Sequence, residues 1–453
     1  MVRLHHSQRT TIAAIATPVG TGGVSMIRIS GPRAIEVADL ATDGKAGAMT
    51  ANAIQHVRIV DACGETIDDG MLAVFHAPRS FTGDDTVEFS GHGGMLVTSE
   101  VLGRIIECGA DHAGPGEFTQ RAFLNGKLDL TQAEGIMDLI SAQTRLAMRA
   151  ARSQLEGTIG RRTVEARDAL MQTLAHLEAW IDFPEEDIDP QTGEALRDGI
   201  RRVLTTIDSL LATAEQGRIL REGVRTVIFG EPNVGKSSLL NRLLGFDRAI
   251  VSEIAGTTRD TIEETINLDG IPLRLIDTAG VREACDRIEA EGIQRTVRQI
   301  EDADLLLEVV DASAARPERQ ILPHTRANHL LLLNKSDLGE HTDWAEVPAA
   351  VRLSCQSGNG FDVLSAAIRE RLHFGQADWG DHAVAINTRH KASLEHARST
   401  LAEALKLLEN NATDPELAAI DMREALDALG EIPGKLDTED LLGVIFSSFC
   451  IGK

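Results

Sequence analysis

Gly230-Glu-Pro-Asn-Val-Gly-Lys-Ser237 follows the apolar run Val227-Ile228-Phe229 and opens into Ser238-Leu-Leu-Asn-Arg-Leu-Leu244. A strand, a glycine-rich turn and a helix in that order make the phosphate-binding loop G-x-x-x-x-G-K-[ST]. The glycines let backbone N–H groups converge on phosphate oxygens, and the helix start adds its partial positive charge. Lys236 is placed to reach the terminal phosphates as a point charge, and the Ser237 hydroxyl to hold magnesium. An ordinary glycine turn before a helix has no need of the strand, the lysine and the serine together. The stretch predicts a nucleotide site.

Further motifs follow at the ends of apolar runs. Leu273-Arg-Leu-Ile276 reads as a strand and delivers Asp277-Thr-Ala-Gly280, with the carboxylate placed for a magnesium shell and the glycine N–H for the γ-phosphate. Between it and the first motif lies Gly256-Thr-Thr-Arg-Asp260, where Thr258 is placed to close over the same metal as a switch loop. The run Asn328-His-Leu-Leu-Leu-Leu333 leads to Asn334-Lys-Ser-Asp337, and here the base is selected. A carboxylate at Asp337 accepts from guanine N1–H and the 2-amino group. Adenine offers no such donor pair, so a site built on those bonds rejects it. Ser354-Cys-Gln356 falls near the expected guanine carbonyl. The motifs in this order predict GTP binding. Hydrolysis needs a further argument. Ras-like enzymes orient the attacking water with a glutamine just after D-x-x-G, but Val281 stands there in this chain. The segment Arg282-Glu-Ala-Cys-Asp-Arg-Ile-Glu289 offers carboxylates for that task, and chemistry alone does not choose among them.

Composition sets bounds. A chain of 453 residues has room for about three domains. A net charge of −24 and a pI near 5.0 argue against a protein coated in nucleic acid, although not against a local basic patch. The 5 cysteines (Cys63, Cys108, Cys285, Cys355 and Cys450) form no C-x-x-C pair, so neither a disulfide framework nor a zinc knuckle is expected. The 14 histidines show no H-E-x-x-H spacing. No long apolar core follows the first Arg and His residues, so no signal peptide is expected. No apolar run approaches the roughly 20 residues that a membrane span needs. A cytoplasmic enzyme is the expectation.

Residues 10–125 read as an α/β unit. Gly22-Gly-Val-Ser-Met-Ile-Arg-Ile-Ser30 alternates as a strand, with Ile27 and Ile29 on one face and Arg28 on the other. Thr86-Val-Glu-Phe-Ser90 does the same around Glu88 and leads to a turn, Gly91-His-Gly-Gly94. By pattern alone, Arg28 and Glu88 are solvated strand residues as readily as a site. From about 126 the pattern is helical. Leu196, Ile200, Val203, Leu204, Ile207, Leu210 and Leu211 form one apolar stripe, and Leu394, Ala397, Leu401, Leu405 and Leu408 form another. A helical region over roughly 130–180 ends at the loop Phe183-Pro-Glu-Glu-Asp-Ile-Asp-Pro190, whose acids read as a solvated connection or a metal site. Between the two stripes, from about Gly223 to 375, the composition is that of a parallel α/β domain. It reads as inserted into one helical domain or as lying between two.

The phosphate loop, Ile254-Ala-Gly-Thr-Thr-Arg-Asp260, Asp277-Thr-Ala-Gly-Val-Arg-Glu283 and the terminal Phe446-Ser-Ser-Phe-Cys-Ile-Gly-Lys453 resemble the bacterial tRNA-modification GTPase family called MnmE or TrmE. Ala16-Thr-Pro18, Gly22-Gly23, Ser80-Phe-Thr-Gly83, Gly91-His-Gly-Gly94 and Arg121-Ala-Phe-Leu-Asn125 extend the resemblance over nearly the whole chain. It implies a fold of class α/β plus all-α. An N-terminal folate-binding, dimerising α/β domain would take residues 1–125. A central helical domain would take 126–220 and 377–453, with a Ras-like P-loop G domain inserted over 221–376.

The resemblance also implies site residues. Nucleotide contacts fall on Asn233, Val234, Gly235, Lys236, Ser237 and Ser238. They continue on Ser252, Glu253, Ile254, Ala255, Gly256, Thr257 and Thr258, and on Asp277, Thr278, Ala279 and Gly280. Base recognition falls on Asn334, Lys335, Ser336 and Asp337, with Ser354, Cys355 and Gln356. Mg2+ is implied at Ser237 and Thr258, and K+ at Asn233, Ser252, Ile254 and Thr257. Such a cation resembles a built-in arginine finger between the β- and γ-phosphates. Glu289 is implied as the catalytic, water-positioning acid. Arg28, Glu88, Lys127 and Lys453 are implied to bind a 5-formyl- or 5,10-methylene-tetrahydrofolate, a carboxylate and cations being suited to a pterin edge and folate glutamate. Ser252 and Glu253 depart from a loop often written with Thr and Asp, and Ser354-Cys-Gln356 from a more usual Ser-Ala start. Cys450 reads as a nucleophile or as a small buried thiol.

The implied activity is GTP hydrolysis in a homodimer, coupled to G-domain pairing. With a flavin-dependent (FAD) partner resembling MnmG (GidA), in a heterotetramer or larger, it adds an aminomethyl or carboxymethylaminomethyl group to C5 of the wobble uridine of certain tRNAs. The acidic chain leaves much of the tRNA contact to the partner. A ribosome-assembly GTPase would share the nucleotide motifs without the N-terminal and Cys-Ile-Gly-Lys features, and a stand-alone folate enzyme would need no GTP.

Overall fold

The computed structural model describes residues 10–50, 52–182, 191–245, 264–276, 303–316, 328–347, 349–372, 385–409, 415–434, 442, 445–447 and 449–452. The chain divides into two compact units. One comprises Met1–Met137, Gly160–Arg167 and Leu426–Lys453, and the other Asp138–Ile159 and Asp168–Ala425.

The first unit begins with β1 (Ile12–Ile15), β2 (Val24–Ser30), α1 (Ala34–Ala41), β3 (Ile54–Val60), β4 (Thr66–Phe75) and β5 (Thr86–His92). It continues through α2 (Met95–Glu107), β6 (Asp111–His112) and α3 (Glu117–Leu124). The strands form a six-stranded sheet in the order β3-β4-β5-β2-β1-β6, antiparallel except for β1 beside β6. Alternation decides its faces. Ile27, Ile29, Val87 and Phe89 pack with Leu72 and Val74 against Val37 and Ala38 of α1 and Val101 and Ile105 of α2. Arg28 and Glu88 therefore point to the opposite face. Strand β2 starts at Val24 instead of Gly22, and β5 runs on through Gly91 and His92, so the expected turn is confined to Gly93 and Gly94.

Next come α4 (Leu130–Ser141), α5 (Arg145–Leu155), α6 (Thr158–Asp182), α7 (Gln191–Leu211) and α8 (Ala214–Glu222). Leu196, Ile200, Val203, Ile207 and Leu210 of the first predicted stripe are buried, while Leu204 and Leu211 are half-buried at its margins. The loop 183–190 lies outside the described residues. In the first unit, Leu130 and Ala133 of α4 pack with Leu442, Phe446 and Phe449 near the chain end.

The second unit holds β7 (Val224–Phe229), α9 (Lys236–Gly245), β8 (Glu264–Leu268), β9 (Ile271–Leu275), β10 (Leu305–Asp311), β11 (Asn328–Asn334), β12 (Val351–Arg352) and α10 (Phe361–Arg371). Its sheet order is β12-β11-β10-β7-β9-β8, parallel except for the β8–β9 hairpin. Leu305, Leu306, Leu307, Val309 and Val310 are all buried, as a central parallel strand covered on both faces requires. Leu239, Leu240 and Leu243 of α9 and Leu364 and Ile368 of α10 share its core, and so do Ala147 and Ala150 of α5 and Ile219 and Leu220 of α8. Arg221 of α8 clasps Asp138 with two bonds of 2.7 and 3.0 Å. The helices α11 (Thr388–Glu409) and α12 (Pro415–Glu431) follow, with Leu394, Ala397, Leu401 and Leu408 buried and Leu405 half-buried. Among the described residues no helix is long and apolar enough to cross a membrane.

Candidate nucleotide and folate sites

Strand β7 lies between β10 and β9, so the chain leaves its carboxyl end into the crevice where parallel α/β sheets bind ligands. In the turn that follows, Asn233 has φ +65° and Gly235 φ +101°. Left-handed residues interspersed in such a turn direct successive N–H groups inward as an anion nest. A Cβ on Gly235 would collide with Asn334 Nδ2, so only glycine passes here. Lys236 Nζ donates to the carbonyl oxygens of Gly230 at 2.8 Å and Glu231 at 2.7 Å, folding back over its own loop. Burial lowers its pKa, and Glu231 opposes the shift. Val234 is buried, whereas Ser237 and Ser238 are exposed on the first turn of α9. The donor set fits a magnesium nucleotide: a nest for phosphate, a lysine, and a hydroxyl for the metal.

The residues expected to recognise the base lie at the ends of β11 and β12, with β10 between them and β7. Asn334, 2% exposed, closes β11. Its Nδ2 donates to the Val234 carbonyl at 2.8 Å, and its Oδ1 accepts the Cys355 N–H at 3.1 Å. One side chain thus ties the turn after β7 to the loops after β11 and β12. Lys335 has φ +63°, and its Nζ donates to Asp311 Oδ2 at 2.6 Å. Asp311 Oδ1 accepts the Ser313 N–H at 3.0 Å and its hydroxyl at 2.6 Å. Burial works against ionisation of Asp311, but the bonds from Lys335 and Ser313 hold its carboxyl below the usual range. Ser336 N–H donates to the Leu353 carbonyl at 3.2 Å, and Asp337 is exposed. Ser354 is buried and its Oγ accepts from Ser357 N–H, while Gln356 is exposed. Burial pushes the Cys355 thiol up to about 11, with Arg242 pulling the other way.

In the first unit, Arg28 and Glu88 are register partners on β2 and β5. Arg28 Nε donates to Glu88 Oε1 at 2.8 Å, and their side chains are 15% and 22% exposed. The guanidinium lies 5.5 Å from the Phe81 ring centre and 5.6 Å from that of Phe118. Its Nη1 is 3.5 Å from the Gly452 carbonyl oxygen. A Cβ on Gly452, at φ +96°, would collide with the Ile15 carbonyl, so the terminal motif passes β1 only as glycine. Lys127 Nζ donates to the Pro78 carbonyl at 3.0 Å, and its stem lies against Gly83. The Ser80–Gly83 loop therefore touches Arg28 through Phe81 and Lys127 through Gly83. Among the described residues, no hydrogen bond joins Arg28 to Lys127. Cys450 is exposed, which removes the reading of it as a buried thiol.

Two features of the first unit went unread in the sequence. Asp68 holds His92 through Nδ1 at 2.7 Å and through its backbone N–H at 2.9 Å, raising the imidazole pKa by that hydrogen bond and charge. Asp69 brings a third ligand atom within 4.8 Å of these two, and it is itself bonded to His56 Nε2 at 2.8 Å. Nearby, a cavity of about 360 Å³ is lined by Thr17, Gly22, Ser25, Gly93, Met95 and Thr98, with Val19 and Val24 at its exposed edge. Ser252, Glu253, Ile254, Ala255, Gly256, Thr257, Thr258, Asp277, Thr278, Ala279, Gly280, Glu289 and Lys453 lie outside the described residues.

Comparison with known proteins completes the picture. The family described as "MnmE helical domain" matches residues 130–450, and that described as "GTP-binding protein TrmE N-terminus" matches residues 11–127. The tRNA modification GTPase MnmE of Akkermansia muciniphila is 52% identical over 445 residues, covering 98% of this chain and 99% of that protein. Its namesake from Natranaerobius thermophilus is 44% identical over 455 residues, covering 98% and 99%. That from Aquifex aeolicus is 41% identical over 450 residues, covering 98% and 100%. The fold class expected from the sequence stands: an N-terminal α/β sheet, helices, and a parallel sheet carrying a phosphate loop. With two family descriptions that together span it and relatives alike from end to end, this chain belongs to the MnmE family of tRNA modification GTPases.

Proposed function

We propose that this GTP hydrolase acts with an MnmG-like, FAD-dependent partner to add an aminomethyl or carboxymethylaminomethyl group to C5 of the wobble uridine (position 34) of certain tRNAs. The observation that carries this reading is likeness over nearly the full length to proteins named tRNA modification GTPase MnmE. GTP binds in an inserted G domain over 221–376, between helical segments 126–220 and 377–453 and after an N-terminal domain over 1–125. The Asn334 tie between the phosphate loop and the base loops supports a single guanine-nucleotide site.

Within that site, the nest at 233–235 and Lys236 bind phosphate, and Asp337 accepts from guanine. Ser237 and Thr258 hold Mg2+, while Asn233, Ser252, Ile254 and Thr257 hold K+. When bound, the cations neutralise charge developing on the phosphates. Val281 offers no side-chain donor or acceptor, so another group positions the attacking water, and the resemblance singles out Glu289 among the nearby acids. Glu289→Ala is expected to leave GTP affinity within about threefold and to cut turnover by about 100-fold; normal turnover would remove the role. Replacing K+ by Na+ is expected to slow hydrolysis, and equal rates would remove the cation site.

The folate reading draws on the Arg28–Glu88 pair. Its carboxylate is suited to a pterin donor edge and its guanidinium to folate oxygens, with Lys127 and Lys453 as further cations. The one-carbon unit comes from the reduced folate when it is bound, and this chain's residues orient it. Exposed Val19, Val24, Met95 and Leu96 support homodimerisation through the N-terminal domain. The test of the whole reading is mass analysis of wobble uridines after gene deletion. Loss of the C5 substituent is expected, and unchanged tRNA would overturn the proposal.

A further inference from the structure

We propose that Asp311 is a positioning residue for guanine-nucleotide binding, acting through Lys335. The inference rests on the reading of residues 334–337 as the base-recognition loop. Lys335 leaves the end of β11 in the left-handed region, φ +63°, between the inward-turned side chain of Asn334 and the exposed Asp337. A lysine on such a turn has a long stem with many rotamers, and fixing it when nucleotide arrives would cost affinity. Here the stem is fixed beforehand. Nζ meets Asp311 Oδ2 at 2.6 Å, and the two side chains are 34% and 21% exposed.

The carboxylate that fixes it is itself held on its other side. Asp311 ends β10 in register with Asn334 of β11, so the backbones of the two residues are paired. Its other oxygen is clamped by the Ser313 N–H at 3.0 Å and hydroxyl at 2.6 Å. An anchored acid on one parallel strand therefore holds the lysine of the next, beside the loops that meet at Asn334. The apolar part of the Lys335 stem is stretched between its own backbone and Asp311, a fixed surface for a purine face. The ammonium is also held at a defined position, so it cannot wander among the other anions of the site.

A double-mutant cycle on GDP affinity of the full-length protein separates this role from a purely structural one. Asp311→Asn keeps the shape and removes the charge. It is expected to weaken GDP binding by about fivefold, at the upper end of what an exposed pair contributes. Lys335→Met keeps most of the stem and is expected to weaken binding at least as much. In the Lys335→Met background, Asp311→Asn is expected to change affinity by less than about 1.5-fold, because its target is gone. Asp311→Glu, which retains the charge, is expected to recover part of the loss. Independent effects that multiply in the double variant would overturn the inference, showing that Asp311 acts by another route such as the Ser313 turn. An unchanged GDP affinity in Asp311→Asn would overturn it as well. If the unaltered protein fails to bind GDP, the base-loop reading falls with it; if that protein binds and the cycle multiplies, only the Asp311 inference falls.

Discussion

Replacing Asn334 by alanine should damage the nucleotide-free protein and its nucleotide affinity together. The side chain is 2% exposed and makes two bonds, 2.8 Å to the Val234 carbonyl and 3.1 Å from the Cys355 N–H. Truncation leaves both partners without it. A buried polar group left unpaired costs about 1–3 kcal/mol. Val234 is buried, so its carbonyl should carry about 2 kcal/mol of that cost. Cys355 is only half-buried, and water can replace part of the bond there, leaving about 1 kcal/mol. The expected loss is therefore about 3 kcal/mol of stability. The phosphate loop, released from the base loop, would also have to be ordered by the ligand. A penalty of about 1.4 kcal/mol, or tenfold in GDP affinity, follows if half of the loss is recovered on binding. Denaturant titration of the unliganded protein, followed by titration with a fluorescent GDP analogue, reads both quantities. Asn334→Asp keeps the acceptor for Cys355 but turns an oxygen toward the Val234 carbonyl, and should be no better than alanine. A stability change below about 0.5 kcal/mol, within the range of ordinary surface substitutions, would show that the two Asn334 bonds contribute little.

Other outcomes follow from the same geometry. Asp337→Asn should lose GTP by at least about 100-fold and gain xanthosine triphosphate, since an amide can donate to the 2-oxo group that replaces the amino group; retained GTP preference would show that another residue reads the base. His92 should titrate above the usual histidine value of about 6.5 in an NMR titration. Because its folded pKa is raised, the Asp68 contact contributes below pH ~6.5 and fades as pH rises through the folded value; Asp68→Asn should bring the titration back toward normal, and an unmoved pKa would count against the pairing. At pH 8, a thiol with pKa about 11 is about 0.1% thiolate, against about 24% for an ordinary cysteine. Even with the greater nucleophilicity of a more basic thiolate, Cys355 should alkylate about twentyfold more slowly than an unstructured reference peptide carrying one cysteine, followed by peptide-resolved mass spectrometry. Equal rates would contradict its burial.

The turn after β7 could be read in the sequence because its residues answer to local backbone demands. Gly235 has to adopt a positive φ against Asn334, and a motif that encodes backbone conformation is visible without knowing the fold. The alternation around Ile27 and Ile29, and around Val87 and Phe89, likewise gave the buried face of the first sheet. Alternation could not give the pairing of Arg28 with Glu88, which joins residues 60 apart through strand register. Only the resemblance singled them out. The arrival of Gly452 at Arg28, across 424 residues, leaves no periodic trace at all. Asp311 and Asp68 went unread for a related reason: each carboxylate matters through one partner brought to it by a neighbouring strand. The turn read at Gly91–Gly94 was too long because Gly91 and His92 still pair with Ser25 and Val24 in the sheet, where pairing outweighs low strand propensity.

The loops after β7, β11 and β12 are proposed to form one guanine-specific site. Parallel titrations with GDP and ADP, in magnesium and potassium, test it most directly. A site organised around the Asp337 carboxylate should favour GDP by about 10⁴-fold. Equal affinity for the two, or a preference for ADP, would contradict it.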